Sequence, residues 1–541
     1  MKKILIILMY FLIFWVLLPA TIILFSLLLD RSIGWNHGMG SVTAGILLLA
    51  VSFPLLLHSV FYYRKVTGEY PVSAYPPGEI IQGGIFSVFR HPVYLFFSIS
   101  LLGTGLLLRS SSFLLIIFPI YLLILGLYIF FEERKLIIRH GEVYRSYRKR
   151  TALLIPGLSV ILKPLVRLFF RIFFRYRVTG KNHIPLNPPF IIVAAHRNYL
   201  DPFFIAVSVS FPVSFVATIE VFRNRLLKFF LNRFNAIPKA RYRPDLQATK
   251  KVVDLLRSKA VIGIFPEGER SWTGQMNSFK PETLKLFRKF STVPLLPIRI
   301  QGNFHAWPRW ASNIRRAEVN VDIGEAFHID PNLDLMDIEK EMYSRIKPSD
   351  RGKYCRSGRI ADNLSIVLYR CPACMKFESL FVTDRNCMHC SQCGAVFHLL
   401  PDYSLKLVVD KKISYFTLDK LYTRIRADAG DILVKDRRDF ILRSERVTAV
   451  RGQDSEMHIV GEGSLKLTEK EIIFTGSYNT INIDINYITS VTIESNYKLQ
   501  IFEKGKGQLF QFAFLEESAL KWQDMIVEIL HYNYQLQPNT R

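Results

Sequence analysis

The spacing of apolar residues changes character along the chain. Residues 1–157 are built from long runs with little charge. Ile4 to Leu29 carries no Asp, Glu, Lys or Arg. A helix rises 1.5 Å per residue, so such a run crosses a hydrocarbon layer about 30 Å thick with room to tilt. The apolar part of a signal peptide is shorter, about 7–15 residues. A second run extends from Gly40 to Tyr63, with Pro54 and His58 inside it. A third and fourth, Val93–Leu108 and Phe113–Phe131, are separated only by Arg109-Ser110-Ser111-Ser112. The pattern predicts four transmembrane helices, the last two forming a tight hairpin.

Between residues 158 and 179 the rhythm becomes amphipathic. Lys163, Arg167, Arg171 and Arg175 recur every four residues among Leu165, Val166, Leu168, Phe169, Phe170, Ile172, Phe173 and Phe174. That spacing predicts a basic helix lying in the membrane interface. From 180 to 345, short apolar runs alternate with helical patterns. Strands are expected at Phe190–Ala195, Val213–Thr218, Val261–Phe265 and Pro294–Gln301, and helices after Pro202 and over Arg223–Phe234, Arg243–Ser258 and Pro281–Phe290. Such alternation predicts an α/β layer architecture. Towards the end, short strands recur at Ser464–Leu467, Glu471–Thr475, Thr480–Ile485, Ile488–Glu494, Tyr497–Phe502 and Leu509–Phe514, before one amphipathic helix, Glu516–Leu530. Tyr403–Leu442 shows no clear period.

Composition sharpens this picture. Half of the residues are hydrophobic and 42 are Phe, rich for a soluble chain. A net charge of +25 suits nucleic acid, an anionic bilayer or phosphorylated substrates; the apolar runs favour the last two. If the four spans alternate, Lys2, Lys3, Arg64, Lys65, Arg90, Arg134, Lys135 and Arg139 share one side, against Arg31 and Arg109 on the other. Positive charge stays inside, so an integral membrane protein with both termini and its C-terminal part on the cytoplasmic face is expected.

Five of the six cysteines fall between Cys371 and Cys393. Two Cys-x2-Cys knuckles, Cys371/Cys374 and Cys390/Cys393, predict a small zinc ribbon. Cys387 could replace Cys390 or Cys393, but Gly394 favours the outer pair. Four thiolates leave no open position, so the zinc is expected to be structural. No stripe of Arg or Lys with aromatics accompanies the knuckles, so no nucleic-acid partner is expected.

Two motifs follow apolar strands in the central region. His196-Arg197-Asn198-Tyr199-Leu200-Asp201 follows Pro189–Ala195, and Phe265-Pro266-Glu267-Gly268-Glu269-Arg270-Ser271 follows Ala260–Phe265. A His and an Asp five apart are a weak signal alone, since Asp201 could simply cap a helix. The blocks Asn235–Arg241 and Val293–Ile298 complete an ordered set. In that order the four blocks resemble the glycerolipid acyltransferases of the lysophosphatidate acyltransferase family, over about residues 175–345. The resemblance implies that His196 is the general base and Asp201 its orienting acid. It further implies that Glu267 and Gly268 shape the acceptor site, that Arg241 and Arg270 hold a phosphate beside Ser271, and that Pro294 and Pro297 lie towards the acyl chain. The acyl donor would be acyl-CoA or an acyl-carrier protein. Ala195 and Asn198 stand where the family often has Asn and Ser, and Ala240-Arg241 where it has Asp-Arg, which bears on the choice of acceptor.

The membrane part carries a second ordered set. Arg90-His91-Pro92-Val93-Tyr94 precedes the hairpin, and Glu132-Glu133 follows it. Gly141-Glu142-Val143-Tyr144-Arg145-Ser146-Tyr147 and Ile155-Pro156-Gly157 come next. This order resembles the isoprenylcysteine carboxyl methyltransferase and phospholipid methyltransferase group. The resemblance implies S-adenosylmethionine on the cytoplasmic face, near Arg90, His91, Pro92, Tyr94, Glu132, Glu133, Tyr144 and Tyr147. Carboxylates and aromatic faces suit a cationic sulfonium.

The expected architecture is multidomain. A methyltransferase-like transmembrane domain (1–157) leads through the interfacial helix (158–179) to an α/β acyltransferase domain (180–345). A zinc ribbon (365–400) and a β-barrel-plus-helix module (401–541) follow, the latter resembling pleckstrin-homology or GRAM domains. The expected function is transfer of a fatty acyl group from a thioester to the free hydroxyl of a lysophospholipid, with membrane lipids as partners. Two alternatives stand beside it: an S-adenosylmethionine-dependent methyltransferase, alone or as a second activity, and a non-catalytic membrane scaffold.

Overall fold

The computed structural model describes residues 9, 12–35, 40–71, 80–151, 158–223, 225, 228, 231, 236–239, 245–350, 352–409, 411–435, 440–453, 456–504, 507–515 and 517–535. Lys2, Lys3, Ile155, Pro156, Gly157, Asn235, Ala240, Arg241 and most of the expected helix 223–234 lie outside the described residues.

The apolar runs of the first part are helical. A π-helical turn, Leu12–Leu17, leads into α1 (Leu18–Ile33), followed by α2 (Val42–Thr67) and α3 (Pro92–Leu108). A second π-helical turn, Phe113–Ile117, leads into α4 (Phe118–His140). The Ser41 hydroxyl accepts the Ala44 N–H at the start of α2, and Pro92 opens α3, where a missing N–H costs nothing. The close approach of α2 and α3 depends on small residues: a Cβ on Gly45 would sit 2.7 Å from the Gly103 carbonyl oxygen. Asp30 ties α1 to the α3–α4 turn by accepting the Ser112 N–H at 2.8 Å and its hydroxyl at 2.6 Å. Among the described residues, two helices, Val42–Thr67 and Phe113–His140, are long and apolar enough to cross a membrane; Pro92–Leu108 is shorter.

α5 (Glu142–Arg150) and α6 (Leu158–Phe174) lead to the central sheet. The basic residues of α6 do not share one outward face. Lys163 donates to the carbonyls of Val209 (3.4 Å) and Phe211 (3.2 Å), and Arg167 to that of Val207 (3.1 Å). The Val207 and Val209 carbonyls lie at the C-terminal end of α7 (Asp201–Ser208, C-cap Val209), where a helix leaves acceptors unsatisfied and its dipole favours cations; Phe211 follows just beyond. Phe170 and Phe174 are buried on Phe204, with ring centroids 4.6 and 5.4 Å away. What faces outward is apolar Leu165, Leu168, Phe169 and Ile172, with Arg171 and Arg175 exposed alongside. A period of four residues reveals a face, but not which neighbour that face meets.

The central sheet contains β1 (Arg177–Thr179), β2 (Phe190–Ala194), β3 (Val213–Thr218), β4 (Ile237–Lys239), β5 (Val261–Ile264), β6 (Leu295–Gln301) and β7 (Asn320–Ile323). Its order is β1-β7-β6-β2-β5-β3-β4. All pairs are parallel except β6–β7. β2 lies between two parallel neighbours and every residue in it is buried, which is why it is uniformly apolar rather than alternating. Phe190, Ile192 and Ala194 face the core made with α6 and α7. Ile191 and Val193 face the opposite core, beneath α8 (Leu246–Arg257), α9 (Pro281–Lys289) and α10 (Leu335–Ile346).

The C-terminal part holds two antiparallel sheets. The first, of order β12-β11-β10-β9-β8, joins β8 (Leu380–Asp384), β9 (Cys387–Cys390), β10 (Val396–Leu399), β11 (Ser404–Val409) and β12 (Lys412–Thr417). It runs through residue 400, where a domain boundary was expected, and α11 (Leu418–Lys435) follows. The second is a curled seven-stranded sheet of order β16-β15-β14-β13-β19-β18-β17. Its strands are β13 (Leu442–Gln453), β14 (Glu456–Leu467), β15 (Glu471–Gly476), β16 (Thr480–Asp484), β17 (Ile488–Ser495), β18 (Lys498–Glu503) and β19 (Gln508–Phe514). α12 (Ala519–Gln535) packs on it, with Trp522 fully buried against Phe514. One apolar core joins both sheets to Trp272, Phe304 and Trp310 of the central region.

Candidate active site

β2 ends at Ala194, and the chain turns at once into His196 at the carboxyl end of the parallel strands, where α/β sheets place their ligands. Asp201 opens α7 and is fully buried. His196 Nδ1 lies 3.1 Å from Asp201 Oδ2. An ionised carboxylate only accepts, so Nδ1 carries the proton and Nε2 keeps the lone pair. Asp201 Oδ2 also accepts the N–H groups of Arg197 and Asn198, each at 2.8 Å. Its Oδ1 accepts from Asn303 Nδ2 at 2.7 Å. The His196 ring stacks on Phe265, centroids 4.2 Å apart. Burial lowers the His196 pKa, Asp201 opposes that, and Arg270 and Arg309 lower it further. The imidazole is therefore neutral and able to take a proton near pH 7.

The second motif folds directly against the first. The His196 N–H donates to Glu267 Oε1 (3.2 Å), and the Ser271 N–H to the His196 carbonyl (3.0 Å). Glu267 is buried, which pushes its pKa up to about 8; the His196 N–H pulls it only part of the way back. Gly268 has φ 74°, and a Cβ there would meet the Lys280 side chain at 3.2 Å. The Ser271 hydroxyl accepts the Gly274 N–H (2.9 Å) and is buried, so it is engaged within its own turn. The Arg270 guanidinium lies over the Tyr199 ring, 3.2 Å from its centroid. Pro297 pairs with Val193 inside the sheet. Arg241 lies outside the described residues.

Four further residues join this site without any signal in local sequence. Arg197 and Asn303 are buried behind Asp201, and the partly exposed Asp350 pairs with Arg197. Arg309 donates to the Arg270 carbonyl (3.0 Å) and the Ile493 carbonyl of β17 (3.2 Å), pairs with Glu269 at 3.5 Å and covers the Trp272 ring. The curled sheet is thereby fastened to the loop that carries Arg270.

The eight residues expected around S-adenosylmethionine come together. Arg90 Nε donates to Glu133 Oε1 (2.7 Å), and Arg148 Nε lies 3.3 Å from Glu133 Oε2. Arg90 Nη1 donates to the carbonyls of Arg148 (3.0 Å) and Thr151 (2.7 Å). His91 lies 3.6 Å from Glu133 and 3.8 Å from Glu132, and stacks on Tyr94. The Tyr147 hydroxyl donates to the Phe86 carbonyl (2.7 Å), and its ring neighbours that of Tyr144. Pro92 starts α3. Glu133 is committed to two guanidinium groups, which leaves Glu132 as the freer carboxylate. Tyr144 lies against Glu133, and Glu132 against His91 and Tyr94.

This cluster and His196 lie at opposite ends of the sheet. Tyr147, Ser87 and Gln82 line a small cleft with Pro188, just before β2, and Val261, the first residue of β5. The length of the strands, about 17 Å for five residues, separates the two.

The sulfur atoms of Cys371, Cys374, Cys390 and Cys393 all lie within 4.8 Å of one another. The Cys371–Cys393 and Cys374–Cys390 separations are 3.8 and 3.7 Å. A tetrahedron with zinc–sulfur bonds of about 2.3 Å has edges of about 3.8 Å. Cys387 Sγ instead lies 2.8 Å from His398 Nδ1 across the β9–β10 ladder.

Comparisons with known proteins match two segments of the chain. Residues 175–301 match the family described as Acyltransferase, and residues 41–142 match that described as Phospholipid methyltransferase. The chain thus carries an acyltransferase-family domain and a phospholipid methyltransferase-family domain. A 1-acyl-sn-glycerol-3-phosphate acyltransferase of Bacillus subtilis is 25% identical over 154 residues, 28% of this chain and 73% of that protein. The chloroplastic enzyme LPAT1 of Arabidopsis thaliana, of the same name, is 25% identical over 29% of this chain and 44% of its own length. The chain therefore spans about three quarters of the first relative and less than half of the second. The crystal structure of a 1-acyl-sn-glycerophosphate (LPA) acyltransferase from Thermotoga maritima shares 23% identity over 42% of this chain and 87% of its own, with a TM-score of 0.32.

The buried Glu267 has a consequence for stability. Its folded pKa lies above the ordinary 4.5, so the stability it permits is complete below about pH 4.5 and is lost as pH rises through about 8. The Glu267→Gln chain, which keeps an acceptor for the His196 N–H, is expected to melt at a progressively higher temperature than the wild type across that window. Parallel melting curves from pH 4.5 to 8.5 would contradict the burial of this carboxyl.

Proposed function

We propose that the chain is a membrane-bound acyltransferase that moves a fatty acyl group from a thioester to the free hydroxyl of a 1-acylglycerol-3-phosphate-like lysophospholipid. The observation that carries this reading is the buried Asp201 3.1 Å from His196 Nδ1 at the carboxyl end of β2, a contact that leaves Nε2 as the proton acceptor. Nε2 takes the proton of the acceptor hydroxyl as its oxygen attacks the thioester carbonyl. Asp201 stabilises the imidazolium, which then protonates the departing thiolate. The products are an ester and a free thiol, from acyl-CoA or an acyl-carrier protein. Arg270, steadied on Tyr199, holds the acceptor phosphate by charge-assisted hydrogen bonds, with Arg241 as its partner. Four helical spans anchor the chain, and the outward apolar face of α6 lies in the cytoplasmic interface with Arg171 and Arg175 among the headgroups. The domain limits are those expected from the sequence except at 400/401, which the β8–β12 sheet crosses, and the C-terminal module serves lipid or protein binding.

Acyl transfer by the purified full chain is expected to fall by about 10²–10⁴-fold in the His196→Ala variant, the range for loss of a general base. Equal rates in the two proteins would remove His196 from the chemistry.

A second reading, methyl transfer, is favoured by the Arg90–Glu133–His91–Tyr94 cluster. S-adenosylmethionine bound there supplies an electrophilic methyl group. Glu132 and the rings of Tyr94 and Tyr144 would hold its cationic end, while Arg90 and Arg148 fix Glu133. Labelled methyl groups from S-adenosylmethionine are expected in lipid with the wild type and to drop about tenfold or more with Glu132→Gln, as for loss of a charge contact worth over 1.4 kcal/mol. If no label reaches lipid with the wild type, this region serves as an anchor.

The four-cysteine cluster is assigned a structural zinc, which Cys371, Cys374, Cys390 and Cys393 would hold and which would tie β9 and the turn before β10 to the knuckle at Cys371–Cys374. Metal analysis should find one zinc per wild-type chain and none after Cys390→Ala. A metal-free wild-type chain with an unchanged melting temperature would refute the assignment.

A further inference from the structure

A chain of buried polar groups stands behind the His196–Asp201 pair and has no part in the reaction described above. Arg197 is 2% exposed. Its Nη1 donates to the Gly274 carbonyl (3.2 Å) and to Asp350 Oδ2 (2.5 Å). Its Nη2 donates to the Ile300 carbonyl (2.8 Å), to Asn303 Oδ1 (2.5 Å) and to Asp350 Oδ1 (3.1 Å). Asp350 Oδ1 also accepts the Gly302 N–H at 2.7 Å. Asn303 is fully buried and passes the contact on, since its Nδ2 donates to Asp201 Oδ1. Asp350 follows α10 and lies outside the segment that matches the acyltransferase family.

The chemistry of each group fixes its neighbour. A guanidinium offers only donors, so the Asn303 oxygen must face Arg197. The Asn303 amide nitrogen must then face Asp201. A guanidinium this deeply buried needs a counter-ion, because an uncompensated charge in the interior is expensive. Asp350 supplies it through both oxygens. Without Asp350, the guanidinium would be left uncompensated in the segment whose backbone N–H already donates to Asp201.

We propose that Asp350, through Arg197 and Asn303, is a positioning residue for the His196–Asp201 pair: it neutralises Arg197 so that Asp201 meets a neutral amide on one oxygen and gives its charge to His196 on the other. The inference deepens the acyl-transfer reading and rests on it. Removing the Asp350 charge leaves Arg197 uncompensated, which disfavours protonated His196 and moves its titration to lower pH. Replacing Asn303 with a carboxylate adds a negative charge beside Asp201 and moves it to higher pH. The other charges facing the pair are Glu267, through the His196 N–H, and Arg270 and Arg309 across the opening; His305 faces Asp350 and Arg197. None of these changes in either variant.

The test uses the full chain and the two near-isosteric variants Asp350→Asn and Asn303→Asp. Carbethoxylation of His196, read by peptide mapping over pH 5–9, reports its titration without requiring activity; acyl-transfer kinetics over the same range report its use. Expected are shifts of about half a pH unit or more in opposite directions, downward for Asp350→Asn and upward for Asn303→Asp, consistent with one charge at a protein-like dielectric. The rate constant kcat should fall about tenfold in each while KM for the acyl thioester stays within about twofold, the pattern of a lost transition-state orientation. Asp350→Glu, which keeps the charge, should restore most of the wild-type profile. Wild-type labelling profiles in both folded variants, or shifts in the same direction, would overturn the proposal. Should a variant fail to fold, as judged by its melting curve, the remaining variant and Asp350→Glu decide the matter. If labelling shifts as expected while the wild type transfers no acyl group, the positioning network stands and the acyl-transfer reading falls.

Discussion

A fully buried carboxylate is the constraint on which the catalytic region depends. Asp201 has no exposure to water, and an ion in that position is tolerated only when its oxygens are filled by donors. Two backbone N–H groups, an amide and an imidazole fill them. Each of these donors demands its own support. The N–H groups need the tight turn after β2. The amide needs Arg197. The imidazole needs Phe265 behind it and the Glu267 contact at its backbone. A single buried charge thus dictates the conformation of three segments far apart in the chain.

The same logic extends outward. α7 begins at Asp201, and its C-terminal carbonyls are capped by Lys163 and Arg167 from α6. The helix that meets the membrane interface in the proposed arrangement is therefore bolted to the helix that carries the acid of the pair. On the other flank, Arg309 links the Arg270 loop to β17, so the curled C-terminal sheet helps to fix that loop. The methyltransferase-like cluster is different. It meets the far end of β2 and β5.

Much of this was legible in the sequence where interactions are local or periodic. β2, β5 and β6 announce themselves as apolar runs because parallel strands are buried on both faces. His196 and Asp201 stand five residues apart, one turn of chain, and the two cysteine knuckles are equally local. The hidden part is the long-range part. Arg197 meets Asp350 across 153 residues and Asn303 meets Asp201 across 102, and neither contact leaves a period in the chain. β1, β4 and β7 have three or four residues each, too few to show alternation. The inward turn of Lys163 and Arg167 escaped because amphipathicity gives a face without its partner. Residues 403–442, which show no period, proved to extend the cysteine-bearing sheet by two strands and a helix.

The central claim is that this chain makes an ester on a phosphate-bearing lysolipid. The most direct measurement is product analysis with the purified full chain, a labelled acyl thioester, and two acceptors that differ only in the phosphate, 1-acylglycerol-3-phosphate and monoacylglycerol. The account predicts diacylglycerol phosphate with one thiol released per ester, and little product on the phosphate-free acceptor. Thiol release without any lipid ester, or equal esterification of both acceptors, would contradict it.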